Sequence, residues 1–273
     1  MDKLASKLDE KSSNYFRIYY PRGKREYIDW AYKAASFSYS YLAKQIFDCK
    51  AIPIVDIYLV DKKYWCFTAT PNTHPYGLIY TVTNEEWGRA IFVPTTLPSY
   101  VWNHSGIDWR GWLFVLWHEM THVLFIYNNV VCRKPLWFWE GLATLGAICC
   151  YYNLDKANEL YKLLKGEVGI SEVKLEKRAQ TQKLRTLREI SKAFWQKRIK
   201  SADYDYFQRI LVFMCNELFQ IGGEEFVRGL FRTLCNENQN RKSITLKTVY
   251  EIVDSLVPNG FDFERYLESK WWF

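Results

Sequence analysis

No stretch of the chain reaches 18 consecutive apolar residues, which excludes a membrane-spanning helix of ordinary length. Met1–Asn14 is polar and mixed in charge, with no apolar run leading to a small-residue cleavage site, so no secretory signal is expected. The seven cysteines (Cys49, Cys66, Cys132, Cys149, Cys150, Cys215 and Cys235) are odd in number and contain no CxxC pair. This argues against a disulfide framework and against a zinc ribbon. The expectation is free, mostly buried thiols in a reducing compartment, and hence a cytoplasmic protein. Repeats and low-complexity tracts are absent. Histidine is scarce, with four in 273 residues: His74, His104, His118 and His122.

What is present is the composition of a folded protein. Hydrophobic residues make 49% and charged residues 25%, which sets aside a disordered chain, a collagen and a coiled-coil rod. The length supports a substantial core without staples. Aromatics reach 18%; they fill cores and do not identify a chemistry by themselves. The net charge of +7 invites a polyanion partner, but it is local. Lys174–Lys200 holds ten Lys/Arg against Glu176 and Glu189, a net of +8, so the rest of the chain carries −1 (+7 less +8). With only Phe194 and Trp195 as aromatics, that segment is poorly equipped to stack bases. A solvated helical face is the preferred reading, and nucleic acid is not the expected partner.

Hydrophobic periodicity predicts strands at Tyr15–Tyr20 and Pro53–Val60, with a long helix at Tyr27–Phe47 between them. Leu78–Thr83 and Arg89–Val93 flank Asn84–Gly88 and read as a hairpin with a five-residue loop. After Gly111 the pattern is helical: Trp112–Tyr127, Phe138–Asn153, a basic stretch around Lys174–Ile199, Tyr206–Phe219, Glu224–Cys235, Leu246–Ser255 and Phe263–Lys270. Gly222-Gly223 marks a turn between two of these. The fold class expected is α+β, with a small mixed N-terminal sheet and a helical C-terminal half.

The informative residues are His118-Glu119-Met120-Thr121-His122, an HExxH inside the strongly apolar window Trp112–Tyr127. A spacing of i, i+4 sets both imidazoles on one helix face, one turn apart, where they can share a metal ion. Glu119 sits one residue on, within reach of a water on that metal. With four His and 18 Glu, shuffling this composition yields roughly 0.004 such matches per chain. A plain pair of helix histidines is the competing account, but two His and a Glu are costly to bury among apolar neighbours without a partner.

A catalytic zinc takes three protein ligands and leaves one position open. A cysteine, His74 or His104 could complete the set. The better candidate is Glu140, in Pro135–Ala143 (PLWFWEGLA), where Pro135 opens a new helix. Seventeen residues separate it from His122, enough for the first helix to end near Asn128-Asn129 and the chain to reverse. A glutamate favoured by the helix dipole is the bland alternative.

HExxH followed by W-x-x-E-G-L-A resembles the gluzincin metallopeptidases, in particular small peptidase MA-like proteins. Both motifs are specific, as His118–His122 and Pro135–Ala143, while the rest of the chain matches at the level of pattern. The resemblance implies a zincin-like α+β fold. Its parts would be an N-terminal tail (1–14), an α/β lobe with the HExxH helix (15–130) and a helical lobe with the third ligand (131–273), with a cleft between the lobes. It implies one Zn²⁺ on His118, His122 and Glu140, and hydrolysis of a peptide or protein substrate by a metal-activated water with Glu119 as general base. The substrate would add as a strand along the Gly77–Val93 hairpin. The family supplies an oxyanion donor from the helical half, for which Tyr206 and then Tyr204 are candidates, with His104 behind them. One departure stands out: gluzincins often place an acid one turn after the glutamate ligand, and here that position is Thr144. Two rival readings remain open, a non-proteolytic zincin-fold binding protein and a binder of nucleic acid or acidic partners through 174–200.

Overall fold

A computed structural model describes residues 2–49, 54–72, 80–84, 86–95, 109–130, 136–153, 201–240, 245–257 and 260–270. The chain divides into two compact units, Met1–Tyr127 and Asn128–Phe273. The fold is mixed α+β: a five-stranded open sheet accompanied by helices. Among the described residues, no helix is long and apolar enough to cross a membrane.

The first unit opens with a short helix α1 (Asp2–Ala5) and strand β1 (Leu8–Ser12), which pairs antiparallel with β2 (Phe16–Pro21). The segment expected as a polar tail is therefore an edge strand. Its polar residues alternate around the buried Leu8, a pattern too short and too charged to stand out. Helix α2 (Arg25–Ser38) follows and passes into a π-helical segment, Tyr39–Ile46, where one unbroken α-helix was expected. Asp48, at φ +56°, turns the chain out of it. Strand β3 (Val55–Val60) runs parallel to β2, a 3₁₀ turn occupies Lys62–Phe67, and β4 (Tyr80–Asn84) and β5 (Gly88–Pro94) form the hairpin. Three residues join the hairpin strands rather than five. The loop is short because Asn84 Oδ1 accepts from the Trp87 amide at 2.8 Å and Gly88 takes φ +62°, closing the turn early. The strand order is β1-β2-β3-β5-β4, so among the described residues β4 is an edge strand.

Strand β3 is buried along its whole length, as a strand covered on both faces must be. One sheet face carries Tyr19, Tyr58, Phe92 and Tyr80 in register across four strands, stacked at 4.5, 5.1 and 5.0 Å. Leu4, Leu8, Trp65 and Trp87 complete that cluster. The opposite face presents Phe16, Ile18, Ile57, Leu59, Ile91 and Val93, all buried, toward α2 and helix α3 (Trp109–Tyr127). The Trp117 indole of α3 donates to the Ala34 carbonyl of α2 at 3.2 Å, and Phe125 meets Phe47 edge-on. Helix α3 ends where expected, with Asn129 in the left-handed region at φ +61°.

The second unit is helical. Helix α4 (Leu136–Tyr152) packs on helix α5 (Ser201–Asn240). A Cβ at Gly141 would stand at ordinary contact distance from Met214 and Leu211, and the Gly141 carbonyl accepts from the Cys215 thiol at 3.2 Å. The expected turn at Gly222-Gly223 is a sharp break within α5, with Gly223 at φ +64°, a conformation costly for other residues. Thr245 caps α6 (Leu246–Leu256) by accepting from the Thr248 amide. Asp254 then accepts from the Phe263 amide, tying α6 to α7 (Phe263–Lys270).

Candidate metal centre

Helix α3 is apolar all round, and this places it in the protein interior, where a polar side chain needs a reason. His118, Glu119 and His122 are 8%, 7% and 6% exposed, whereas Met120, Thr121, Val123 and Leu124 are fully buried. What little solvent access this stretch has belongs to the three residues of the motif. Thr121 is satisfied within the helix, its hydroxyl donating to the Trp117 carbonyl at 2.8 Å. The two imidazoles lie edge to face, with ring centroids 4.8 Å apart and planes at 84°. That is the neighbour relation expected of i, i+4 positions.

Helix α4 is equally apolar, and within Leu136–Cys150 every residue but Glu140 is buried. The ligand atoms of His118, His122 and Glu140 all lie within 4.8 Å of one another, so the group could hold a metal ion. Two neutral imidazoles and a carboxylate form a donor set suited to zinc and other first-row divalent ions. The three candidate ligands read from the sequence are thus brought together.

Glu119 does not join this group. Its Oε2 accepts a 2.5 Å hydrogen bond from the Thr81 hydroxyl on edge strand β4. Sequence reasoning did not single out Thr81. The alternation of Tyr80-Thr81-Val82-Thr83 turns Thr81 away from the aromatic face, but the helix it then meets is not written in that local pattern.

Thr144, the departure from the gluzincin pattern, donates its hydroxyl to the Glu140 carbonyl one turn back, at 2.8 Å. Trp117, Trp137 and Trp139 are core residues, buried to 9% exposure or less. Tyr204 and Tyr206 fall in the first turns of α5, but their side chains lie outside the described residues, as do His74, His104 and the basic segment 174–200. Free thiols are found at Cys49, Cys66, Cys149, Cys150, Cys215 and Cys235, and burial pushes the Cys150 and Cys215 thiols well up, leaving them inert. No protein-family model matches the chain, and no curated protein matches it in sequence.

Proposed function

We propose that the protein is a zinc-dependent peptidase of gluzincin type with a zincin-like fold. The single observation that carries this reading is the convergence of His118, His122 and Glu140, with Glu119 held beside them on its own hydrogen bond. A structural metal site has no use for a fourth residue, a carboxylate outside the ligand set on the helix that carries both histidines. His118, His122 and Glu140 would hold the ion. When bound, it supplies a lowered pKa to a coordinated water, toward ~7, and polarises a carbonyl.

The chain's own residues supply the rest. Glu119 removes a proton from the attacking water as its oxygen bonds to the peptide carbonyl carbon. The C–N bond then breaks, and Glu119 returns the proton to the leaving nitrogen. Among the described residues β4 is the outermost strand on the side of β5 and lies beside α3, where an extended substrate can add as a further strand. Tyr206 is the first candidate for the oxyanion donor, followed by Tyr204 and His104. The basic segment 174–200 is read as a solvated face rather than a nucleic-acid surface.

Comparing wild type with Glu119→Gln tests the proposal. Both should carry about one zinc per chain, and only wild type should cleave an unfolded protein or a peptide library. Wild type without zinc sinks the metal assignment. Zinc without cleavage points instead to a non-proteolytic binding protein, the reading that Thr144 in place of an acid favours.

A further inference from the structure

We infer that Thr81 is a positioning residue for Glu119, holding one carboxylate oxygen so that the other faces the reacting water. The inference rests on the peptidase reading above and deepens it. The terminal torsion of a glutamate is broad and roughly two-fold, so an unrestrained carboxylate samples many orientations. Proton transfer requires one of them, within hydrogen-bond reach of both the water and the leaving nitrogen. The 2.5 Å bond from Thr81 Oγ1 to Oε2 removes that freedom and leaves Oε1 to carry the proton. The anchor is well fixed. Thr81 pairs with Ile91 of β5, which is fully buried, and Glu119 itself is 7% exposed, where a hydrogen bond to a charged group is worth more than in water.

The position of Thr81 gives the contact a second consequence. An extended substrate adding to β4 would take its register from the same strand that fixes the base. Substrate carbonyl and general base would then share one rigid reference, and strand alternation makes Thr81 the residue that links them. The bond lies wholly within the first unit, Met1–Tyr127.

Thr81→Val removes the hydroxyl and keeps the shape, while Thr81→Ser keeps the hydroxyl and loses the methyl. In the zinc-loaded full chain acting on a fluorogenic peptide, Thr81→Val should lower kcat roughly tenfold, with KM and zinc content unchanged. Thr81→Ser should recover most of that loss. A readout independent of activity is a double-mutant cycle in urea on the metal-free protein. Thr81→Val should lower the unfolding midpoint in wild type and have little effect in a Glu119→Met background, where the acceptor is gone. No coupling in that cycle overturns the inference. So does a wild-type kcat in Thr81→Val, a Ser variant as slow as the Val variant, or loss of zinc from Thr81→Val. Intact coupling with no cleavage by wild type overturns the peptidase reading instead.

Discussion

The two faces of the five-stranded sheet are built from different materials. One face is an aromatic slab in which Tyr19, Tyr58, Phe92 and Tyr80 stack across four strands, with Trp65 and Trp87 set edge-on. The other is aliphatic apart from Phe16, lies toward α2 and α3, and ends at the edge strand in the Thr81–Glu119 bond. The slab puts six of the chain's aromatic residues to work as packing, and none of them belongs to the proposed chemistry. The candidate chemistry rests on a handful of polar groups on the side where the packing is plainest. Stability and activity should therefore separate by face.

The largest separation is expected for Glu119→Gln, which should reduce cleavage by about 10²–10⁴-fold while barely moving the unfolding midpoint. A comparable fall in stability would break the comparison. On the other face, Phe92→Ala should destabilise the protein by about 3–5 kcal/mol in urea, because Phe92 is fully buried and loses Tyr58, Tyr80 and Trp87 together. The folded fraction should keep wild-type cleavage per zinc.

What the sequence disclosed follows the same division. HExxH was legible because four histidines in the whole chain make the pattern improbable by chance, and helical spacing alone sets His118 beside His122. Glu140 was legible as a candidate because Pro135 opens a helix and apolar neighbours single the glutamate out. The strands β2, β3 and β5 were visible as β-branched and aromatic runs. Edge strand β1 was not, since LDEKS is paired on one side only and is mostly polar. Nor was the π-helical segment after Ser38, where a change in backbone hydrogen bonding leaves the apolar pattern almost intact. Thr81 was hidden for another reason: its role depends on which helix the strand meets, and no local pattern carries that.

A smaller effect should come from a charged pair set into the aromatic side. Asp56 on β3 is 4% exposed and receives two bonds from Arg17 on β2, Nε to Oδ1 at 2.6 Å and Nη2 to Oδ2 at 2.7 Å. Burial raises the Asp56 carboxyl above its ordinary 3.8, and the guanidinium pulls it part of the way back. Because the folded-state value is the higher one, the folded protein binds the extra proton, and this group's contribution falls as pH rises from about 4 through that value. Arg17→Met removes the opposing pull and extends the loss to higher pH. The variant should be about 2 kcal/mol less stable than wild type near pH 7 and close to it well below pH 4, where the carboxyl is protonated in both folded proteins. Urea unfolding at the two pH values reads this directly. A deficit that does not shrink in acid would assign Arg17 a packing role only.

The smallest effect bears most sharply on the comparison, because it changes one atom of the slab. The Tyr58 hydroxyl is buried and has no hydrogen-bond partner among the described residues. Burial pushes its phenol well up, so the proton stays on and the group remains an unsatisfied donor throughout the ordinary pH range. The ring, by contrast, is fully engaged, stacked on Tyr19 and Phe92 and met edge-on by Trp87. If the slab is purely a packing device, the ring should carry the stabilisation and the hydroxyl should oppose it. Tyr58→Phe keeps every ring contact and removes the desolvated hydroxyl, so it should raise stability by about 1 kcal/mol and leave zinc content and cleavage unchanged. A loss of stability would mean that the hydroxyl is paired. A loss of cleavage would mean that the two faces are coupled through β3, and the separation drawn between them would fail.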